Sequence, residues 1–320
     1  KAGYDQKIAT GTICAAGTLG QIIPPSIVLV LLADILQGAN EEAALISGNL
    51  APEPITAIDL FAGAMMPGMM LVCMFILFIY IYAKIYPLSC PPIETTRSRL
   101  EIYIEAFKNV LPPLILILLV LGSILLGIAT PTESASVGAA GASLLAFAKG
   151  ELTFKNLKDV SFNTVKLSSF VFVILIGASM FSLVFRGFNG DELIEHALGG
   201  LPGGQVGALI IVMLAIFVLG FFLDYIEIIF VIVPLVGPVL IANGADPLWL
   251  GIMISLNLQT SFLTPPFGFS LFFLRGVAPP EIQTKNIYRG VIPYIGIQVI
   301  AIIVVGFIPE IATWLPRKIF

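Results

Sequence analysis

Stretches without a single charged residue dominate this chain and limit its fold more than any other feature. They occupy residues 8–33, 60–83, 109–132, 134–148, 167–185, 197–223, 228–245, 247–274 and 290–309. A helix needs about 20 apolar residues to cross the hydrocarbon core of a bilayer, and most of these runs reach that length. Strands of a membrane barrel would give short alternating segments instead, and the sequence has none. With 58% hydrophobic and 11% charged residues, a soluble domain could not hide the apolar surface, so lipid is part of the solvent. The fold class that follows is an all-α polytopic membrane protein. A net charge of −4 argues against nucleic acid as a partner.

Lys and Arg set the orientation, because cytoplasmic connections retain them. Lys1 and Lys7, then Lys84, Arg97, Arg99 and Lys108, then Lys149, Lys155, Lys158 and Lys166, and finally Arg275, Lys285 and Arg289 mark four inside segments. The alternating segments are acidic: 34–59 holds Asp34, Glu41, Glu42, Glu53 and Asp59, and 186–205 holds Asp191, Glu192 and Glu195 against Arg186. These belong outside. Arg317 and Lys318 dissent. Run 8–33 then goes from inside to outside and 247–274 from outside to inside. The pair 197–223 and 228–245 starts and ends outside, as two crossings or as one hairpin turning near Asp224.

The chain also matches itself at an offset of 241 positions. Gly3 meets Gly244, Asp5 meets Asp246, Ile13 meets Ile254, and Pro24-Pro25 meets Pro265-Pro266 without a gap. Two copies of one unit in opposite orientation are the mark of an alternating-access transporter. Each double proline lies deep in an apolar run. Proline lacks an N–H, and its ring clashes with the carbonyl four residues back, so both helices should break there. The carbonyls of Gly20 and Gln21 lose their donors in the first break, and those of Ser261 and Phe262 in the second. Bare carbonyls in lipid cost several kcal/mol each and must face protein, water or an ion.

Carbonyl and hydroxyl oxygens suit a hard monovalent cation, and the N-terminus of the following half-helix suits a carboxylate. The candidate sodium- and substrate-binding residues are therefore Gly17, Thr18, Gly20, Gln21, Pro24, Pro25 and Ser26 at the first break. Asn257, Gln259, Thr260, Ser261, Thr264, Pro265, Pro266 and Gly268 are their counterparts at the second, and Asp224 joins them from between the breaks. Na⁺ itself is assigned to Gly20, Gln21, Ser261 and Thr264. Asp224 and Glu227 are either a polar turn or a functional pair at depth. Glu133 reads as an acidic helix start. His196 is alone in an acidic segment, which disfavours a metal site. Cys14, Cys73 and Cys90 form no CxxC pair and read as small core residues. No hydrolase or Walker-type motif occurs, so the chain is read as a transporter and not as an enzyme, with no cofactor beyond Na⁺ as coupling ion.

Several motifs together resemble the large membrane subunit of TRAP (tripartite ATP-independent periplasmic) transporters. They are Gly3-Tyr4-Asp5, Gly17-Thr18-Leu19-Gly20, Ile23-Pro24-Pro25-Ser26, Phe61-Ala62-Gly63 with Pro67-Gly68, Thr130-Pro131-Thr132-Glu133-Ser134-Ala135, and Leu263-Thr264-Pro265-Pro266-Phe267-Gly268. The resemblance implies a sodium-coupled importer of organic acids (a C4-dicarboxylate, oxo acid or related carboxylate) in the bacterial inner membrane. A periplasmic binding protein delivers the substrate, and a small membrane subunit braces the large one.

It also implies an inverted-repeat elevator with two broken helices and re-entrant hairpins. On that pattern 1–33 is the first broken helix and 34–59 a periplasmic loop. Residues 60–204 are scaffold and connecting helices, and 205–276 the re-entrant hairpin with the second broken helix. Residues 277–320 are the C-terminal helix. A first hairpin is expected before Gly3, so the chain reads as lacking an N-terminal portion. The competing class is an ion channel or exchanger that needs no binding protein. Substrate identity, the number of sodium ions and the oligomeric state are left open.

Overall fold

The computed structural model describes residues 3–49, 51–92, 98–266 and 268–319. Lys1, Arg97 and Phe267, used in the sequence reading, lie outside them. Every regular element among the described residues is helical. Five helices are long and apolar enough to span a bilayer, or six if the bent pair Gly190–Gly199 and Gly204–Leu219 counts as one span.

The first compact unit comprises Lys1–Pro91 and Ile174–Phe320. It opens with α1 (Gln6–Thr18), a 3₁₀ turn over Leu19–Gln21, and α2 (Ile27–Ser47). Asp5 starts α1: its carboxylate accepts from the Lys7 backbone N–H at 2.7 Å, which satisfies one of the helix's orphan donors. Gly3 before it sits at φ +77°, a left-handed conformation that glycine adopts without a Cβ penalty.

The matched segment repeats this start. Gly244 sits at φ +99°, and Asp246 accepts from the Trp249 N–H at 2.9 Å to open α11 (Pro247–Leu263). Pro247 at the first helical position needs no N–H there. Each half-helix then stops at its double proline, with cis bonds at Pro24-Pro25 and Pro265-Pro266. Both resume beyond, as α2 and as α12 (Phe269–Val277). The double prolines break both helices, as their chemistry requires.

Between them in sequence, α3 (Ala57–Ile85) packs on α2, α11 and α13 (Thr284–Phe307). Helices α7 (Gly190–Gly199) and α8 (Gly204–Leu219) are bent by 117°. A tight turn at 220–224 leads to α9 (Tyr225–Glu227), which runs through a π-helical turn, Ile228–Ile232, into α10 (Val233–Ala242). Helices α8 and α10 pack on each other, so 204–242 forms a hairpin. Two short helices, α14 (Glu310–Thr313) and α15 (Pro316–Ile319), close the chain.

The second unit is Pro92–Val173. It holds α4 (Arg99–Leu125), α5 (Pro131–Ala148) and the first part of α6 (Phe154–Gly187). Thr130 and Glu133 form a reciprocal capping box at the start of α5, the helix-start role expected of Glu133. Ser123 Oγ of α4 and Ser134 Oγ of α5 share a 2.8 Å hydrogen bond.

Two boundaries differ from the sequence reading. Residues 34–59 are not a loop. α2 continues to Ser47 and α3 begins at Ala57, leaving 48–56 as the connection. That connection is tied down by Gln37, which accepts from the Ile55 N–H, and by Asn40, which donates to the Glu53 carbonyl. The acids misled because Asp34 and Glu41 ride the exposed face of a helix whose other face buries Leu32, Ala33, Leu36, Ala39 and Ala43. Residues 60–204 are not one body either, because α3 packs with the broken helices while Pro92–Val173 clusters by itself.

Polar contacts at the helix ends join residues that the charge pattern assigns to one side. Among those assigned inside, Asp5 N–H donates to the Ser89 carbonyl and Asn286 to Gln6 Oε1. Among those assigned outside, Arg186 pairs with Glu42 at 2.6 Å, and Arg317 pairs with Asp246 at 3.2 Å. Exposed pairs of this kind contribute at most about 1 kcal/mol. Their value is diagnostic: the dissenting Arg317 is held by an acid of the acidic side.

Candidate functional site

The two half-helices α1 and α11 pack on each other. Thr18, the last residue of α1, accepts a hydrogen bond from Gln259 Nε2 of α11 at 3.3 Å. These residues are 241 positions apart, the same offset that aligns the two repeats. A residue thus touches its own repeat partner. Both are buried.

The contact has a third member, which the sequence reading missed. Gln298 of α13 donates from Nε2 to the same Thr18 hydroxyl at 3.2 Å, and it is only 1% exposed. Thr18 in turn donates to the Ala15 carbonyl at 2.9 Å. A hydroxyl has one donor and two acceptor positions, so Thr18 is saturated. The amide oxygens of Gln259 and Gln298 are buried and have no protein donor, and the same holds for Gln21 Oε1 on the 3₁₀ turn that follows α1. The signal was available: Gln298 is a primary amide in the middle of run 290–309, where an unpaired polar group is costly.

At the first break, Ser26 bridges the gap. Its hydroxyl donates to the Gln21 carbonyl at 2.5 Å and accepts from the Leu29 N–H at 3.4 Å, capping α2. At the second, the Thr264 N–H donates to the Ser261 carbonyl at 3.0 Å, and the Gly268 N–H to the Thr264 carbonyl at 3.1 Å. Tyr288 of α13 donates to the Pro266 carbonyl at 3.0 Å. The Gln21 and Ser261 carbonyls are therefore not left bare, contrary to the sequence reading, because the loop folds back and supplies donors. Each keeps its second lone pair.

Thr260, Ser261 and Thr264 return their hydroxyls to the α11 carbonyls of Leu256, Leu258 and Thr260. Asn257 holds the hairpin, donating to the Met213 carbonyl of α8 at 2.6 Å. The hairpin tip also reaches this break. A Cβ on Gly220 would fall on the Ser261 hydroxyl, and Tyr225 packs on Phe262 with ring centroids 5.8 Å apart. The tip therefore lies against the second break. Asp224 uses its carboxylate to cap Tyr225 and, with Glu227, forms a capping box. It makes no contact with Thr18 or Gln259. Gly17, Thr18 and Gln21 line a pocket between α1 and α12 with Phe262 and Ser270. Gly20, Pro24, Pro25, Pro265 and Pro266 lie in the loops of the two breaks.

Helix α13 docks on α1 along one stripe. Gly290 lies so close to α1 that a Cβ would meet the Lys7 carbonyl. The Thr12 hydroxyl donates to the Ile8 carbonyl, so the Tyr294 hydroxyl donates to Thr12, at 2.6 Å. Gln298 follows one turn later. Among the described residues no three His, Cys, Asp or Glu side chains gather as a metal site. The polar chemistry here is that of neutral oxygens.

Residues 1–311 match the model of the family described as the tripartite ATP-independent periplasmic transporter, DctM component. The C4-dicarboxylate TRAP transporter large permease protein DctM of Vibrio cholerae is 31% identical over 337 aligned positions, covering 99% of this chain and 69% of the relative. A putative TRAP transporter large permease protein of Haemophilus influenzae is 30% identical, covering 96% of this chain and 71% of its own length. The ectoine TRAP transporter large permease protein TeaC of Halomonas elongata is 28% identical, covering 98% and 69%.

Proposed function

We infer the function from one premise: this chain belongs to the family of DctM components of tripartite ATP-independent periplasmic transporters. It is a large permease subunit and a multi-pass protein of the inner membrane. We propose that it is the translocating part of a sodium-coupled, binding-protein-dependent importer of organic acids, working with a small membrane subunit and a periplasmic binding protein.

The observation that supports this reading is the Thr18–Gln259 contact between two interrupted helices. Such an arrangement presents carbonyl oxygens to a cation and a helix N-terminus to a carboxylate in one water-poor place, without burying a full protein charge. Coupling then means that ion and substrate stabilise the same state. The hairpin tip at Gly220 and the breaks at 22–26 and 264–268 supply the binding groups, and the body that carries them moves in the manner of an elevator. The relatives' names include both C4-dicarboxylate and ectoine. We propose a carboxylate-bearing solute, with the choice among such solutes made mainly by the binding protein.

The test is uptake into proteoliposomes by the full permease with its small subunit. Uptake should require both a Na⁺ gradient and loaded binding protein. Transport that proceeds with neither overturns the reading in favour of a channel or exchanger.

A further inference from the structure

We propose that Gln298 of α13 belongs to a buried monovalent-cation site beside Thr18, where the two broken helices meet, together with the amide oxygens of Gln259 and Gln21. The proposal rests on the sodium-coupled reading above and adds to it a ligand from a third element, outside both breaks and the hairpin.

Thr18 has one O–H, and it is directed to the Ala15 carbonyl. Gln259 and Gln298 both approach the Thr18 oxygen. Even if Thr18 redirected its proton, it could serve only one amide oxygen, so the other amide must present its N–H₂ to Thr18. As the amides stand, both NH₂ groups face Thr18 and neither Oε1 has a protein donor. Gln259 is 0% and Gln298 1% exposed. Buried polar atoms are nearly always satisfied, by protein, water or an ion, so these oxygens call for a partner beyond the Thr18 hydroxyl.

The nature of that partner follows from what surrounds it. The groups are neutral oxygens on three separate elements: the 3₁₀ turn, α11 and α13. No cluster of His, Cys, Asp or Glu stands near enough to hold a divalent metal among the described residues. A hard divalent ion calls for carboxylates. A monovalent cation is balanced by dipoles alone. Thr18 and Gln21 also line the pocket between α1 and α12.

Helix α13 is placed to feel occupancy at both ends. Gln298 meets Thr18 beside the first break, and Tyr288 meets the Pro266 carbonyl in the second. Tyr294, one turn before Gln298, makes an independent hydrogen bond to Thr12 of α1. It serves as a control for the mere docking of α13 on α1.

The experiment compares wild type, Gln298→Met, Gln298→Asn and Tyr294→Phe, each as full permease with its small subunit. Two readouts are taken: NaCl against choline chloride in proteoliposome uptake, and the Na⁺-dependent rise in melting temperature in detergent, which needs no transport. Gln298→Met should raise half-saturating Na⁺ about tenfold in both readouts. The maximal rate at saturating Na⁺ should be kept. Gln298→Asn should fall between Met and wild type, and it stands in if the Met variant does not assemble. Tyr294→Phe should stay within twofold.

A Gln298→Met half-saturation within twofold of a Na⁺-dependent wild type overturns this proposal alone, and is the result a water-filled site would give. An equal shift in Tyr294→Phe overturns it too, as a packing effect. Wild type indifferent to Na⁺ overturns the sodium-coupled reading as well.

Discussion

Thr18 and Gln259 are repeat partners that hydrogen-bond to each other, 241 positions apart and 3.3 Å between Oγ1 and Nε2. Two units related by a two-fold axis touch at matched residues only near that axis. The pair here is a hydroxyl that accepts and an amide that donates.

Replacing Thr18 tests this contact. Thr18→Val keeps the shape but leaves two buried amides without their acceptor, and each unsatisfied group costs about 1–3 kcal/mol. The Na⁺-dependent thermal shift should weaken, with half-saturation moved about tenfold, as about 1.4 kcal/mol corresponds to that factor. Thr18→Ser should stay near wild type. Equal behaviour of the Val and Ser variants would remove the hydroxyl from the account.

Ser26 has two tasks, capping α2 and closing the first break onto Gln21. Ser26→Ala should cost about 1 kcal/mol of stability from the cap alone. Freeing the Gln21 carbonyl should also loosen the loop and weaken Na⁺ or substrate binding. A chemical-denaturation midpoint measured with and without Na⁺ separates the two. A loss identical in both conditions confines Ser26 to capping.

At the second break, Thr264 ends α11 with its hydroxyl on the Thr260 carbonyl. Thr264→Val should raise the Na⁺ needed for uptake while the protein still assembles with its small subunit. An unchanged Na⁺ curve counts against an ion site at this break.

Gly220 marks the closest approach of the hairpin tip to α11. Gly220→Ala puts a methyl group on the Ser261 side chain, where neighbouring backbone leaves little room to yield. Overpacking of this kind costs about 1–3 kcal/mol. Uptake should drop severely, and protease accessibility of 220–224 should increase. Wild-type uptake would mean that the tip does not seat at the break during transport.

Much of this molecule could be read along the chain, for reasons that are local. Apolar runs too long for anything but a bilayer declared the fold class. Proline's missing N–H announced both breaks, and glycine-then-aspartate announced both helix starts, because left-handed glycine and a capping carboxylate are properties of a few adjacent residues. The excess of Lys and Arg assigned sides that the Glu42–Arg186 and Asp246–Arg317 pairs respect. Charge alone misjudged 34–59, since acids on the wet face of α2 carry the same charge as acids in a loop. Only the tertiary structure decided which polar groups meet. That Gln298 shares Thr18 with Gln259 depends on α13 lying against α1 along Gly11, Gly290 and Tyr294, across 280 positions of chain. A contact at that separation is set by how helices pack, and it leaves no periodicity or motif near either residue.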